Sequence, residues 1–221
     1  MEKLTKKEIQ KNKEDFISVF NDVIIPQYPE AKELLKYIES TDFFDAPAST
    51  NYHSNCAGGL CLHSLLVYDR LFDEVELYKK YIENFSLEEH LGTTEAGLAL
   101  IALCHDLCKV NTYQKYYANV KDYNENGRLS DNVGNFDWIQ KDAYKYNEQL
   151  SLGHGAKSLY LIMCYVNKLS AAEASAVYYH MGGIDNIQDR NSSNAFIKYP
   201  LSLMLHISDL KATFMDETVC S

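Results

Sequence analysis

Ala102-Leu-Cys-His-Asp-Leu-Cys-Lys109 sets a His–Asp doublet, His105 and Asp106, in a run otherwise apolar enough for a buried helix. An ionised carboxylate in such a setting is costly unless a cation or a metal accompanies it. Its neighbour is an imidazole, and His53, His63, His154, His180 and His206 are spread along the rest of the chain. The alternatives are a structural pair locked in a core, or a site to which other helices bring ligands.

Outward from the doublet, the helical period dominates. Residues 5–24 carry an apolar stripe at Ile9, Phe16, Ile17, Phe20 and Ile24, opened by a Thr5/Glu8 capping box and closed by Pro26 and Pro29. Glu30 to Ser40 predicts a second helix, and a loop then runs to Gly58 and Gly59. Leu60 to Tyr81 predicts a longer helix with His63 in its first turn, and Glu95 to Val110 one that carries the doublet. Residues 111–150 alternate Tyr, Asn, Asp and Lys, include Asn124-Glu-Asn-Gly127, and hold the single Trp, Trp138. That pattern predicts one or two β-hairpins. A helix follows over Ala156 to Lys168, and another from the Ser170/Glu173 capping box to His180-Met-Gly-Gly183. A polar loop to Lys198 and a last helix, Tyr199 to Glu217, complete the chain. The expected fold is all-α, a helical bundle with a small β-hairpin insertion around 111–150. Residues 1–40 are expected to pack as N-terminal helices on a single unit spanning 41–221.

At 221 residues the chain suits one domain with a sizeable core. Its 31 acidic residues outnumber 21 basic ones, giving a net charge of −10 that disfavours long nucleic acid as a partner. A small phosphorylated substrate whose charge is met by metal ions fits the same balance. No apolar run reaches the roughly 20 residues that span a bilayer, and no apolar segment of a signal peptide follows the charged N-terminus. No membrane association, a cytoplasmic location and reduced cysteines are therefore expected. Cys104 and Cys108 flank the doublet at i and i+4, but free Cys commonly packs as a small hydrophobe, and a core role is the expectation for both.

Asp209 lies inside another apolar stretch, Leu201 to Leu210, where nothing local accounts for it. A bundle can gather such ligands from several helices. Imidazole with carboxylate suits Zn, Mn, Fe, Ni or Co. Two such ions about 3.5–4 Å apart clamp the attacking and leaving oxygens of a phosphoryl displacement. Lys109 follows one turn after His105, placed to neutralise a phosphoryl group or protonate a leaving oxygen. The 17 tyrosines are read mostly as scaffold, with Tyr113, Tyr116, Tyr117 and Tyr123, just after the motif helix, as the alternative set that would wall the pocket and stack a base. His206 is expected in a supporting role and His90 at the surface.

The order His63, His105-Asp106, His154, His180, Asp209 resembles the HD-domain metal-dependent phosphohydrolase superfamily, an all-helical fold named for its His–Asp doublet. Gly58-Gly-Leu-Cys-Leu-His-Ser64 is similar to the Gly-Gly-Leu-x-x-His-Ser segment of that family, and His105-Asp-Leu-Cys-Lys109 to its His-Asp-x-x-Lys motif. Gly153-His-Gly-Ala-Lys-Ser158, His180-Met-Gly-Gly183 and Leu205-His-Ile-Ser-Asp209 resemble its later Gly-His, His-x-Gly and Leu-His-x-x-Asp signatures. By pattern the chain is most similar to stand-alone bacterial and phage HD hydrolases and to the HD domain of bacterial 3′→5′ exoribonucleases. With about 40 helical residues ahead of the resembling segments, the OB-fold with which the exonuclease architecture holds single strands is not expected.

The resemblance implies that His63, His105, Asp106 and Asp209 hold a first divalent metal, and that His154 and His180 bind a second or contact phosphate. It further implies Asp106 as the bridging ligand and catalytic with Lys109. Substrate contacts are expected from His53, Lys109, Ser158 and Tyr113, with Ser64 and Ser158 hydrogen-bonding behind the ligands. The implied cofactor is one or two divalent ions, and the implied substrate a phosphoester of a nucleotide or similar small molecule. Exonuclease or phosphodiesterase action on short oligonucleotides, and a non-catalytic metal- or nucleotide-binding module, are the alternatives. Homo-oligomerisation is left open.

Overall fold

A computed structural model describes residues 4–50, 54–147, 150–183 and 191–217. Its helices are α1 (Lys6–Val19), α2 (Ile25–Gln27), α3 (Ala31–Ser40), α4 (Gly59–Lys79), α5 (Leu87–Leu91), α6 (Glu95–Cys104), α7 (His154–Met163), α8 (Ala171–Tyr179), α9 (Asn191–Lys198) and α10 (Pro200–Lys211). The strands are β1 (Tyr113–Tyr123), β2 (Leu129–Ser130) and β3 (Asn135–Tyr146).

Helix α6 is the axis of the molecule: every residue from Ala96 to Cys104 is buried, as expected of a helix that is apolar all round. It packs against α4 and α8, and α10 packs against the same two helices. The first helices belong to the same core, with Phe16, Phe20, Ile24, Leu34 and Ile38 packed in one cluster with Leu60, Leu71, Ile101, Leu103, Val177 and Leu205. No helix of the described residues is long and apolar enough to cross a membrane.

Local chemistry explains where several elements start and stop. The Thr5/Glu8 capping box opens α1 as the sequence suggests. Pro26 does not end the helical path. A π-helical turn over Phe20–Ile24 widens the backbone ahead of it, so the proline, which has no N–H and crowds the preceding turn, is accommodated at the start of α2. Two helices escape a periodicity reading, α5 because it is so short and α9 because its sequence is mostly polar.

The all-α expectation is corrected by the structure, which mixes helix with a substantial antiparallel sheet. The hairpin lies where the alternating Tyr, Asn and Lys pattern puts it, but its strands are 11 and 12 residues long. They pair continuously from Tyr113↔Tyr146 to Tyr123↔Phe136, and β2 adds a third strand on the outer side of β3. Among the described residues no helix packs extensively against this arm. Aromatic contacts sustain it instead: across the strands Tyr123 packs on Phe136 and Tyr113 on Tyr146, with ring centroids 5.6 and 6.3 Å apart, and along β3 Trp138 packs on Phe136 at 5.7 Å.

The doublet also sits differently from its expected place. Helix α6 ends at Cys104, His105 caps it, and Asp106 leaves helical geometry at φ −102°, ψ 19° before a 3₁₀ turn over Leu107–Lys109. The break swings Asp106 and its successors out of the axis of α6 and towards α7.

Candidate metal centre

Five elements deliver polar groups to one point in the core. His63 comes from the first turns of α4, His105 and Asp106 from the end of α6, His154 from the start of α7, His180 from the end of α8, and Asp209 from α10. His63, His105 and His180 are wholly buried, and Asp106 is nearly so. Gly155 permits the approach of α7 to α8, since a Cβ there would lie 2.1 Å from the Tyr178 carbonyl oxygen. The His154 and His180 rings are consequently 5.1 Å apart.

Backbone carbonyls fix the imidazole orientations. Nδ1 of His105 donates to the Ala102 carbonyl at 2.8 Å, and Nδ1 of His180 to that of Val177 at 2.7 Å. A carbonyl only accepts, so in the neutral rings the lone pair is on Nε2, and both Nε2 atoms face Asp106, at 3.6 and 3.5 Å. His63 donates from Nδ1 to Glu217 Oε1 at 2.6 Å, and its Nε2 faces His105 Nε2 and Asp209 Oδ1, each at 3.2 Å. His154 Nε2 meets Asp106 Oδ1 at 2.6 Å.

Asp106 thus divides its two oxygens. Oδ1 faces His154 and His180, while Oδ2 faces His63, His105 and the Lys109 ammonium, the last at 2.5 Å. The electrostatics show how hard the cluster is to satisfy with protons alone. Burial works against charge on His63, but the Asp209 and Glu217 carboxylates outweigh it and raise its pKa to about 9. Burial, opposed by Asp106, pushes His105 down to about 3. Burial favours a neutral Asp106, yet Lys109, His105 and His154 together hold its carboxyl well below the usual range. Lys109 in turn keeps its proton more tightly than an ordinary lysine, burial notwithstanding, because of Asp106.

The donor set fits a divalent cation. His180 Nε2 is buried, has no hydrogen-bond partner among the described residues and points at a carboxylate oxygen, an arrangement of two acceptors that a cation between them would resolve. Among the described residues three trios have ligand atoms within 4.8 Å of one another: His63 with His105 and Asp209, His105 with Asp106 and His180, and Asp106 with Cys108 and His154. These groups could hold a metal ion.

Beside the cluster is a small cavity of about 80 Å³, bounded by Lys109, Tyr113, Tyr146, His154 and Lys157 among others. Tyr113 lines it as expected, with burial keeping its phenol protonated. Tyr117 and Tyr123 lie farther out along the arm and Tyr116 on its other face, all exposed, so they do not wall this cavity. Ser158 is wholly buried, and its hydroxyl accepts the Cys108 N–H at 3.0 Å, so it braces the 3₁₀ turn and does not line the cavity. The Ser64 hydroxyl is buried and without a partner among the described residues, so no hydrogen bond behind the ligands comes from it. His53 falls outside the described residues. His206 donates to the His180 carbonyl at 2.6 Å and stacks on Phe196, supporting the end of α8. His90 caps its own short helix through Ser86.

Three participants escaped the sequence reading. Glu217 was invisible because nothing distinguishes it from the adjacent Asp216. Tyr146 and Lys157 reach the cavity only because the hairpin closes and α7 packs on the 3₁₀ turn, neither of which a local pattern reports. Comparison with protein-family models, with curated proteins and with solved structures gives no significant match.

Proposed function

We propose that this chain is a metal-dependent phosphohydrolase of the HD type, cleaving a phosphoester of a nucleotide or a similarly small phosphorylated substrate. The observation that carries the reading is the division of Asp106, one oxygen towards His63 and His105 and the other towards His154 and His180, beside a cavity edged by Lys109. His63, His105, Asp106 and Asp209 would hold one ion and His154 and His180 would help to hold a second, of Mn, Fe, Ni, Co or Zn rather than Mg, because imidazole nitrogens predominate. Such ions supply Lewis-acid activation of water and charge neutralisation at the phosphoryl group.

The protein's own groups do the rest. Asp106 holds the two halves of the centre in register. Lys109, paired with Asp106 Oδ2, offers a cation at the cavity wall that would offset charge on the transferring group or protonate the leaving oxygen. Glu217 and the backbone carbonyls of Ala102 and Val177 orient the imidazoles from behind. Tyr113 keeps its proton and can donate a hydrogen bond into the cavity.

The test is metal analysis of the purified protein, followed by hydrolysis assays on nucleotides, cyclic nucleotides and an aryl phosphate with Mn, Co or Ni. A protein that binds none of these ions and hydrolyses nothing would overturn the reading.

One observation favours a second reading, hydrolysis of short single-stranded oligonucleotides. The face of the arm that begins with Tyr113 and Tyr146 at the cavity continues outward through Lys115, Tyr117, Lys121 and Trp138. Tyr117 and Trp138 are 68 and 52 % exposed, suited to stacking bases. Progressive shortening of end-labelled RNA or DNA separates this reading from a nucleotidase.

A further inference from the structure

We infer that Cys108 is a thiolate ligand in the half of the centre that contains His154 and His180, making that half selective for thiophilic ions. This goes beyond the phosphohydrolase reading but rests on it, since it takes the cluster to be a metal centre.

The break in α6 makes the ligand. Along a continuous α-helix, residues two apart point away from each other. Here Asp106 has left helical geometry and Leu107–Lys109 form a 3₁₀ turn, so the side chains of Asp106 and Cys108 converge. Cys108 Sγ lies within 4.8 Å of ligand atoms on both Asp106 and His154. Its backbone N–H is held by the buried Ser158 hydroxyl at 3.0 Å, which fixes the turn from behind. Cys104, four residues earlier, is packed in the core and takes no part.

A second observation points independently to an ion at this place. His180 Nε2 is fully buried, has no hydrogen-bond partner among the described residues, and aims at Asp106 Oδ1, 3.5 Å away. That oxygen is the one His154 also faces. Cys108 and His154 form one trio with Asp106, and His180 Nε2 faces the same Oδ1 as His154, so one sulfur and two nitrogens are gathered about this carboxylate. Such a set selects Zn, Fe or Co over Mg or Mn. The other half, with His63, His105 and Asp209, offers nitrogen and oxygen only. The two positions therefore differ in softness, and the softer one shields its thiol from alkylating agents when filled.

Cobalt substitution tests this without turnover. Protein stripped with chelator and loaded with Co(II) is expected to show visible d–d bands together with a near-ultraviolet sulfur-to-cobalt charge-transfer band. Cys108→Ser should lose the near-ultraviolet band and keep visible bands from the nitrogen- and oxygen-ligated half. Cys108→Ala serves as the second variant, with circular dichroism showing that each is folded. In the parent, Zn should slow alkylation of Cys108 at least tenfold, read by peptide mass mapping. Visible bands without the charge-transfer band, or a band that persists in both variants, would overturn the thiolate and leave the metal centre standing. Absence of any cobalt spectrum would overturn both readings.

Discussion

Glu217 accepts a hydrogen bond from Nδ1 of His63 at 2.6 Å, with both side chains wholly buried. A carboxylate behind an imidazole fixes its tautomer and raises the basicity of the opposite nitrogen, and losing such a partner typically weakens metal binding about 10–100-fold. Glu217→Gln retains an acceptor but removes the charge, so that loss is expected in competition titrations against a chromophoric chelator. Unchanged affinity in a folded variant would show that Glu217 only fills space.

Lys109→Met keeps the length of the side chain and deletes the ammonium beside Asp106. Turnover is expected to fall by roughly 10²-fold or more, as for loss of a charge-stabilising donor, with metal content per chain preserved. If the variant instead lost its metal and kept its residual rate per bound ion, Lys109 would be a structural counterion to Asp106 alone.

Gly155 governs the distance between α7 and α8. An added methyl would lie 2.1 Å from the Tyr178 carbonyl oxygen, so Gly155→Ala must push the helices apart. A loss of about 1–3 kcal/mol in urea unfolding is expected, as for other overpacked contacts. Metal content should fall with it, because His154 and His180 separate. A variant as stable as the parent would refute the close approach.

Metal should act as a folding ligand. At a free concentration about 100 times the dissociation constant it adds about 2.7 kcal/mol, which raises Tm by roughly 5–10 °C for a domain of this size. Differential scanning with and without chelator measures this, and Co, Ni or Zn should exceed Mg. Equal shifts for all four would argue against imidazole ligation.

The π-helical turn Ala212–Asp216, which leads into Glu217, is tied to α4 by the Arg70–Asp216 ion pair. Arg70 lowers the Asp216 carboxyl below its ordinary value of 3.8. A depressed carboxylate pKa contributes stability above the unfolded value, and that contribution fades as pH falls through the folded value. Arg70→Met should therefore cost about 0.5–1 kcal/mol at neutral pH, since the pair is partly exposed, and the difference from the parent should begin to shrink near the ordinary value of 3.8 and vanish only as pH falls below the depressed folded value. Denaturation curves across pH 2–7 check it; a constant difference throughout would mean that Arg70 acts by packing.

Periodicity located the large helices because each needs an apolar face, and α6 announced itself by having no polar face at all. It could not show that α6 stops at Cys104, since the apolar pattern runs on through Leu107 while the backbone does not. That break is what turns Asp106 between two sets of imidazoles and brings Cys108 beside it, so a thiol that sequence reads as core packing joins the cluster. The histidines and Asp209 were legible because each is costly where it stands. Glu217, one acidic residue among several near the end of the chain, is no more costly by sequence than its neighbours, and only the tertiary fold buries it against His63. Composition also hid the extent of the sheet, because its strands are sustained by tyrosines pairing across the ribbon and not by a buried apolar face.

The arm formed by β1 and β3 offers a handle for protein engineering. Its strands bond chiefly to each other, so the tip between residues 124 and 134 is a place to splice in a small reporter domain or an affinity module with little disturbance to the helices. The base of the same ribbon ends in Tyr113 and Tyr146 at the cavity wall. A fluorophore carried near that base would sense occupancy, while cargo at the tip would only mark the molecule.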